Sequence, residues 1–319
     1  MFFEGSEKKA EIFIEESYLS LLDDIDDAVW HDVVSAGNAQ ILSSMVNPHC
    51  KAFILSESSL FIWHDHFLIL TCGVTQLIKS IEFFIKYIGK EKIIACTYQR
   101  KNEYYAHAQL STFSDDITIL TQYITGNALR FGEIEDHHNY FFYKNANKIT
   151  NRDKTYEFIA YQVNSDVLYK LSSNVLKFSD IRDFLQLDIL FPKFILDDFI
   201  FKPHGYSVNG LYNDKYFTIH ITPQLNSSYI SFAANIDLIP LMPLILTILQ
   251  PASFDLLSIN DRHFEQDIQQ QIPKNYVSKT FVKHTLNNSN IMYFANYILP
   301  QKIFCSASPF NLIEDNHAL

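Results

Sequence analysis

The stretch that decides the fold is residues 53–89, FILSESSLFIWHDHFLILTCGVTQLIKSIEFFIKYIG. Residues 53–60 and 66–71 within it are apolar or alternating runs of strand length. The polar turn Trp63-His64-Asp65 lies between them. The stretch therefore predicts two neighbouring strands joined by a short turn.

A helix is predicted directly after the second strand. Between Leu77 and Ile88 the apolar residues recur at helical spacing and form one face. Thr75 is a residue type that caps helices, and Gly89 is one that ends them. Strands next to helices, with mostly hairpin-length connections, favour an α+β fold in which helices cover sheets.

The later half of the chain repeats this order of elements. Residues 216–222 and 229–234 have the pattern of strands, and an apolar helix is predicted at about 241–249. Two such units roughly 160 residues apart indicate an internal duplication. Further strands are predicted at 93–98, 140–143, 156–163 and 194–201, and further helices at 115–124 and at 179–187, the latter capped by Ser179.

The composition is that of a large globular domain. The chain has 319 residues, of which 48% are hydrophobic, and its 27 Phe and 18 Tyr supply an aromatic-rich core. No linker rich in Pro, Gly or Ser interrupts it, so residues 1–319 are predicted to form a single domain. The net charge of −11, with no basic cluster longer than Arg100-Lys101, argues against a nucleic-acid partner.

Cysteines, histidines and apolar runs indicate a soluble cytoplasmic protein without a metal site. The four cysteines, at 50, 72, 96 and 305, have no disulfide-framework or metal-ligand spacing, which fits reduced thiols. The longest apolar stretch, 238–249, contains two prolines and is shorter than the roughly 20 residues that a membrane helix needs. His64-Asp65-His66 and His137-His138 lack a third ligand at recognisable spacing.

Five short segments carry the functional signal. They are Phe2–Lys8, Leu55–Ser59, Thr71–Gly73, Gly205–Gly210 and Thr218–Pro223. In this order they closely resemble the eukaryotic-type, pyruvoyl-dependent S-adenosylmethionine decarboxylases, over most of the chain from residue 2 to about residue 235. The resemblance implies a four-layer α/β/β/α sandwich of two antiparallel sheets with helices outside. It also implies synthesis of the aminopropyl donor for spermidine and spermine.

The resemblance further implies that the chain makes its own cofactor. Decarboxylation leaves an electron pair that side chains hold poorly, so such enzymes use pyridoxal phosphate or a pyruvoyl group. No lysine lies in an evident pyridoxal-phosphate setting, and the 8 glycines form no phosphate loop. The Ser58 hydroxyl would attack the carbonyl of Glu57, and cleavage would give chains 1–57 and 58–319. These would stay associated, with Ser58 converted to the pyruvoyl group.

Further roles follow from the same resemblance. Ser207 would stabilise the ester-forming stage, and His220 would remove the α-proton of Ser58, as its ordinary pKa near neutrality allows. In the mature enzyme the group made from Ser58 would form a Schiff base with the substrate amine, and Cys72 would return a proton to the substrate. Glu4 and Glu7 match acidic residues near the reacting centre.

Substrate recognition is assigned to five positions. Phe3 and Phe201 correspond to rings that sandwich the adenine of S-adenosylmethionine, while Leu55 and Glu57 would contact the adenine through their backbone. Gln224 stands where many relatives have a glutamate that holds the ribose hydroxyls. Gln224 can still donate and accept hydrogen bonds, but it brings no charge.

A putrescine site is matched only in part. Glu11, Asp153 and Glu157 correspond to part of an acidic cluster through which animal members bind this effector. Leu70 and Ala233 stand where a lysine and a glutamate would be. Burying three carboxylates without a cation is costly, so either a diamine binds or some of them are protonated. We expect weak or altered stimulation by putrescine.

Other functions remain open to the same residues. Gln224 would suit a pyruvoyl decarboxylase of another amino acid, such as arginine or ornithine. A non-catalytic partner that activates a true decarboxylase and a plain adenosyl-binding module are further alternatives. The presence of Ser58, Cys72, Ser207 and His220 together argues against the non-catalytic partner, whereas a binding module would bind its ligand equally well as Ser58→Ala. Members of the family occur as monomers and as homodimers, and the sequence fits either.

Overall fold

The structure is a computed structural model, and it describes residues 5–15, 17–144, 154–172, 177–202, 205–224, 228–287 and 290–300. The elements of the first half are β1 (Lys8–Ile14), α1 (Asp27–Ala36), β2 (Ile41–Val46), β3 (Lys51–Leu55), β4 (Ser58–Ile62), β5 (His66–Thr71), α2 (Leu77–Ile88), β6 (Ile93–Lys101), α3 (Phe113–Leu120), β7 (Gly126–Gly132) and β8 (His138–Lys144).

The elements of the second half follow in a similar order. They are β9 (Thr155–Tyr161), α4 (Ser165–Leu171), α5 (Phe178–Leu185), α6 (Leu187–Leu190), β10 (Ile195–Ile200), β11 (Tyr206–Tyr212), β12 (Lys215–Thr222), β13 (Tyr229–Ala234), α7 (Met242–Leu249), β14 (Ser253–Ile259), α8 (Phe264–Gln271), β15 (Val277–Thr285) and β16 (Ile291–Ile298). No helix of the described ranges is long and apolar enough to cross a membrane.

The strands form two antiparallel sheets of eight. Their orders are β2-β3-β4-β5-β1-β6-β8-β7 and β10-β11-β12-β13-β9-β14-β16-β15. The second order is the first with eight added to every strand number, so the two halves share one topology. This confirms the predicted internal duplication, which the sequence indicated through only three elements of each half.

Each sheet buries one face under helices. Ala10, Ile12 and Ile14 of β1 pack in a core with α1, α2 and α3. In the other half, the outward side chains of β11, β12 and β13 pack with α4 to α8. The remaining faces meet in two smaller apolar clusters, one around Phe61 and Tyr216 and the other around Phe141 and Phe294. The predicted four-layer sandwich is therefore confirmed.

One predicted strand proved to be two. Residues 53–60 do not run straight: Ser56 and Glu57 form a turn, and Leu55 of β3 pairs with Ser58 of β4. The prediction was wrong because the turn contains no Gly, Asn or Pro, the usual signals of a tight hairpin. The predicted cleavage point, between Glu57 and Ser58, thus lies at a hairpin and not within a strand.

Two predicted helix caps were also wrong. Helix α2 begins after Gln76, which makes no side-chain cap, and the Thr75 hydroxyl donates instead to the carbonyl of Cys72 (2.8 Å). Helix α5 begins at Phe178, one residue before the expected cap, and the side chain of Asp180 accepts from the backbone N–H of Lys177. The end of α2 at Gly89 is as predicted, since the Gly89 N–H donates to Ile85.

Candidate active site

The peptide between Glu57 and Ser58 has unusual backbone geometry. Ser58 has φ of +138°, a region that residues with a side chain rarely adopt and that costs of order 1–3 kcal/mol. Its side-chain oxygen is buried, and within the described part of the chain it has no hydrogen-bond partner. Opposite Ser58, on β5, the Thr71 hydroxyl is likewise buried and has no partner there. A strained bond thus lies beside an unengaged hydroxyl.

The carbonyl of Glu57 is held by Cys72. The Cys72 backbone nitrogen lies 2.9 Å from the Glu57 carbonyl oxygen, and its sulfur lies 3.2 Å from the same atom. Both groups can donate a hydrogen bond, so they would stabilise negative charge that develops on this oxygen. Cys72 reaches this position because its segment directly follows β5, the neighbour of β4.

Lys8 fixes the segment that follows Cys72. Its buried ammonium group donates to the carbonyls of Gly73 and Thr75 (3.0 Å each) and to the side chain of Gln109 (2.7 Å). Burial, together with the nearby Arg100, lowers the pKa of Lys8 to about 8. The only signal for this role in the sequence is a lysine at the start of a strand pattern.

Glu57 contributes a half-buried carboxyl group. Burial raises its pKa to about 7, and the positive charge of Lys8 only partly opposes this. One of its carboxyl oxygens, Oε2, has no hydrogen-bond partner among the described residues. The side chain therefore titrates near neutrality, in contrast to an ordinary surface glutamate.

His220 lies on the inner face of β12, and each of its two ring nitrogens contacts a hydroxyl group. Its Nδ1 is 2.8 Å from the Ser207 Oγ, and its Nε2 is 2.9 Å from the Thr218 Oγ1. Ser59, from the other sheet, approaches Nε2 to 3.3 Å. Burial lowers the pKa of His220 to about 3, so the ring is neutral at pH 7 and can accept a proton.

Ser207 and His220 meet because they pair across neighbouring strands. Residues 205–210, which in isolation suggest a loop, provide most of β11, and Ser207 stands opposite His220 in the register with β12. Alternation along β12 sends Ile219 and Ile221 into the helix-covered core and leaves His220 on the inner face. The structure thus brings together two of the residues predicted to drive cleavage.

A charged cluster bridges the two sheets. The Glu157 carboxylate lies 2.9 Å from the Lys9 Nζ and 3.0 Å from the Lys101 Nζ. Burial alone would raise the pKa of Glu157, but the two ammonium groups bring it down to about 2. Glu7 accepts a hydrogen bond of 2.5 Å from Ser231, and burial raises its pKa. These four charged groups balance each other.

Glu11 and Glu157, two residues of the predicted acidic cluster, have different neighbours in the structure. Glu11 is half-buried near His66 (3.9 Å), whereas Glu157 is paired with the two lysines. The structure adds Lys9 and Lys101, which the sequence analysis did not identify. A lysine doublet inside an otherwise apolar strand pattern, at the start of β1, was the available signal. Asp153 lies outside the described residues.

The predicted substrate contacts are only partly described. Leu55 is buried at the end of β3, one turn before the scissile peptide. Phe201 follows β10, stacks edge-on against Phe199 with ring centroids 4.9 Å apart, and is half-buried. Gln224 follows β12, and its backbone N–H donates to Thr222 (3.0 Å). Phe3 and Glu4 lie outside the described residues.

Comparison with known proteins agrees with this arrangement. The model of the adenosylmethionine decarboxylase family matches residues 1–299. The chain is 32% identical over 279 residues to the S-adenosylmethionine decarboxylase proenzyme of Dictyostelium discoideum, covering 79% of this chain and 73% of that protein. It is 34% identical over 267 residues to the proenzyme of Drosophila melanogaster, with coverage of 74% and 76%.

A solved structure shares the fold. A crystal structure of a Trypanosoma brucei AdoMetDC-delta26 monomer aligns with a TM-score of 0.59 at 19% identity, covering 76% of this chain and 99% of that one. The family, the enzyme class and the activity predicted from the five segments are thereby confirmed. This chain belongs to the adenosylmethionine decarboxylase family.

Proposed function

We propose that this chain cleaves itself between Glu57 and Ser58, and that the pyruvoyl group formed from Ser58 supports the activity of its family, decarboxylation of S-adenosylmethionine. The observation that carries the proposal is the scissile peptide itself. Ser58 is strained and its hydroxyl is unengaged within the described residues, while two donors from Cys72 hold the carbonyl oxygen of Glu57.

The first step exchanges an amide for an ester. The Ser58 oxygen attacks the carbonyl carbon of Glu57 and gives up its proton. The carbon–nitrogen bond then breaks, and the nitrogen of Ser58 takes up that proton and leaves as an amine. Negative charge on the Glu57 oxygen is stabilised by the Cys72 amide and thiol. Breaking this peptide also releases the strain at Ser58, which favours the forward direction.

The second step breaks the chain. His220, neutral because it is buried, takes the α-proton of Ser58. The electron pair of that bond forms a carbon–carbon double bond and expels the ester oxygen, which becomes the new terminal carboxylate of Glu57. Hydrolysis then releases ammonia and leaves a keto group on residue 58. Chains 1–57 and 58–319 stay together because β1 lies between β5 and β6 within the first sheet and β3 pairs with β4, so strands of the first piece are paired with strands of the second.

The surroundings of Ser58 fit the group that it would become. The site is buried and the opposing Thr71 hydroxyl has no partner in the described ranges, so it is available to hold the keto oxygen. The pyruvoyl group supplies an electron sink for the bond that loses carbon dioxide. Cys72, whose sulfur contacts the carbonyl oxygen of Glu57, is placed to give the substrate carbon its proton, since a thiol can act as a general acid.

Substrate binding is assigned to the aromatic and polar residues around this site. Phe201, together with Phe3, would stack on the adenine, and the backbone of Leu55 and Glu57 would contact its edge. Gln224 would hold the ribose hydroxyls by neutral hydrogen bonds. The product would be the aminopropyl donor for spermidine and spermine synthesis.

In this protein the positive charge of a diamine effector is replaced by the chain's own lysines. Lys9 and Lys101 already neutralise Glu157 between the sheets. The cavity beside Lys101, lined also by Asn139 and Asp255, has a volume of about 10 Å³. That is room for about one water molecule and not for putrescine. Glu7 and Glu157 are balanced without an external cation.

Intact mass under denaturing conditions tests the proposal. The wild-type chain should separate into two pieces that meet between Glu57 and Ser58, with the larger one blocked to N-terminal sequencing. Ser58→Ala should stay whole and inactive in carbon dioxide release from S-adenosylmethionine. A folded wild-type chain that remains uncut would overturn the proposal. Release of carbon dioxide from arginine or ornithine instead would correct the substrate.

A further inference from the structure

Five buried side chains form one continuous chain of hydrogen bonds between the two sheets. Ser59 lies on β4 of the first sheet, and Asn209, Thr218, His220 and Ser207 lie on β11 and β12 of the second. Ser59 Oγ is 2.7 Å from the Asn209 Oδ1 and 3.2 Å from the Thr218 Oγ1. Thr218 in turn contacts the Nε2 of His220, whose Nδ1 contacts Ser207.

Asn209 sets which groups donate and which accept along this chain of hydrogen bonds. The side-chain nitrogen of Asn209 donates to the backbone carbonyl of Phe53 (3.1 Å), which identifies its other atom, Oδ1, as an acceptor. Ser59 has a single hydroxyl proton, and at 2.7 Å it donates that proton to Asn209. Ser59 can therefore only accept hydrogen bonds from Thr218 and His220.

The two neutral forms of His220 differ in how well they satisfy this chain. If Nε2 carries the proton, it donates to Thr218, Thr218 donates to Ser59, and Ser207 donates to the bare Nδ1. Every hydroxyl proton then has an acceptor. If Nδ1 carries the proton, Thr218 must donate to Nε2, so Ser59 loses a donor and the proton of Ser207 has no acceptor among the described residues. Buried, unmatched polar groups are costly.

We propose that Asn209, acting through Ser59 and Thr218, holds His220 in the form protonated at Nε2, which leaves Nδ1 as the nitrogen of the ring that can take up the α-proton of Ser58. The inference rests on the proposed self-cleavage and deepens it. Asn209, Ser59 and Thr218 are positioning residues, whereas His220 is the catalytic base. After proton transfer both ring nitrogens carry protons, and the hydroxyl oxygens of Thr218 and Ser207 can accept hydrogen bonds from them.

The nitrogen resonances of His220 test the inference directly. The full chain carrying Ser58→Ala, labelled with ¹⁵N-histidine, stays uncut, and a companion with His220→Gln identifies the resonances of residue 220. The correlation pattern between ring protons and nitrogens distinguishes the two neutral forms. We expect protonated Nε2 and bare Nδ1. The opposite pattern would overturn the proposal.

Two variants should change the donor–acceptor direction of this chain of hydrogen bonds, and a third should preserve it. In Ser59→Ala the proton of Thr218 loses its acceptor and turns to Nε2, so the form protonated at Nδ1 should predominate. In Asn209→Leu the proton of Ser59 is released towards Thr218 and His220, and both forms should be populated. Thr218→Ser keeps the hydroxyl and should keep the wild-type pattern. Unchanged patterns in both Ser59→Ala and Asn209→Leu would refute the role of Asn209.

Processing kinetics give a second readout. In chains that retain Ser58, Ser59→Ala and Asn209→Leu should slow the elimination step by about tenfold or more while ester formation continues, because only the base is affected. An ester of unchanged mass, cut by hydroxylamine at Glu57, should accumulate. Wild-type rates in both variants would contradict the proposal. An uncut wild-type chain would instead refute the proposed function, and the resonances would still report on the tautomer.

Discussion

The carbonyl oxygen of Glu57 accepts two hydrogen bonds from Cys72, with 2.9 Å to its backbone nitrogen and 3.2 Å to its sulfur. The residue proposed to protonate the substrate thus contacts the peptide that is proposed to be cut, in the uncut chain. The contact arises because the hairpin at Ser56 and Glu57 ends beside the last residue of β5. Under the proposed function, the Cys72 side chain would therefore serve two successive reactions in one place.

Replacing Cys72 should separate these two roles. In Cys72→Ala the backbone donor stays and the thiol donor is lost, so self-cleavage should slow by about tenfold, since a thiol is a weak donor. Decarboxylation by the cleaved fraction should fall about a hundredfold or more, because the proton donor is gone. Gel time courses and carbon dioxide release measure the two rates.

Cys72→Ser is the matched control. Its hydroxyl restores a donor to Glu57, so cleavage should approach the wild-type rate. Decarboxylation should remain low, because a serine hydroxyl is a far weaker acid than a thiol. Equal cleavage rates in the wild type and in Cys72→Ala would show that the sulfur contact contributes nothing to processing.

The strain at Ser58 should be measurable in uncut chains. Glycine adopts φ of +138° freely, whereas alanine does not, so Ser58→Gly should be more stable than Ser58→Ala. We expect a difference of about 1–2 kcal/mol in the free energy of unfolding, after the extra flexibility of unfolded glycine is included. Urea denaturation of the two variants measures it. Equal stability would mean that the precursor stores no strain at this peptide.

The pH dependence of stability should report on His220. Its pKa is about 3 when folded and about 6.5 when unfolded, so below pH 6.5 the unfolded chain binds a proton that the folded chain does not. The free energy of unfolding is therefore not reduced by this group above pH 6.5. It falls as the pH is lowered towards 3, by up to about 1.4 kcal/mol per pH unit. In a Ser58→Ala background, adding His220→Gln should flatten the decline between pH 7 and 5.

His137 provides a control, because its pKa is shifted in the opposite direction to that of His220. Burial lowers its pKa, but the hydrogen bond to Asp255 outweighs this and raises it overall. A raised pKa gives stability at low pH that is lost as the pH rises, so His137→Gln should steepen the decline on acidification. Parallel denaturation curves for both variants and the parent would contradict both assignments.

Putrescine should have little effect on the wild type, because Lys9 and Lys101 already pair with Glu157. Lys101→Ala should lower the free energy of unfolding by about 3 kcal/mol, since it leaves the buried carboxylate of Glu157 short of a partner and opens the space of the lysine side chain. Putrescine at millimolar concentration should restore part of this loss. Adding Glu157→Gln should weaken the response, because the carboxylate that lost its partner is removed and only Glu7 remains.

A different result in the wild type would exclude this account. Strong stimulation of carbon dioxide release by putrescine, abolished in Asp153→Asn, would show that the diamine site has survived despite the lysines. Thermal unfolding with and without putrescine distinguishes binding from an effect on the reaction.

The sequence by itself determined the family, the chemistry and the repeated unit. The motifs around Ser58 and His220 are local, and the helical face from Leu77 to Ile88 follows from spacing alone. The hairpin at Ser56 and Glu57 was missed, because the turn contains no Gly, Asn or Pro, the usual signals of a tight hairpin. Residues 205–210 have the composition of a loop, but pairing with both β10 and β12 makes them a strand.

Only the tertiary structure decided which polar residues meet between the sheets. Lys9 and Glu157 are 148 residues apart, and Ser59 and Asn209 are 150 apart. Alternation along a strand places such side chains on the inner face, but it does not state what stands opposite them. That depends on how two separately formed sheets stack. Burial then gives these contacts their effect, keeping His220 neutral and Glu157 charged.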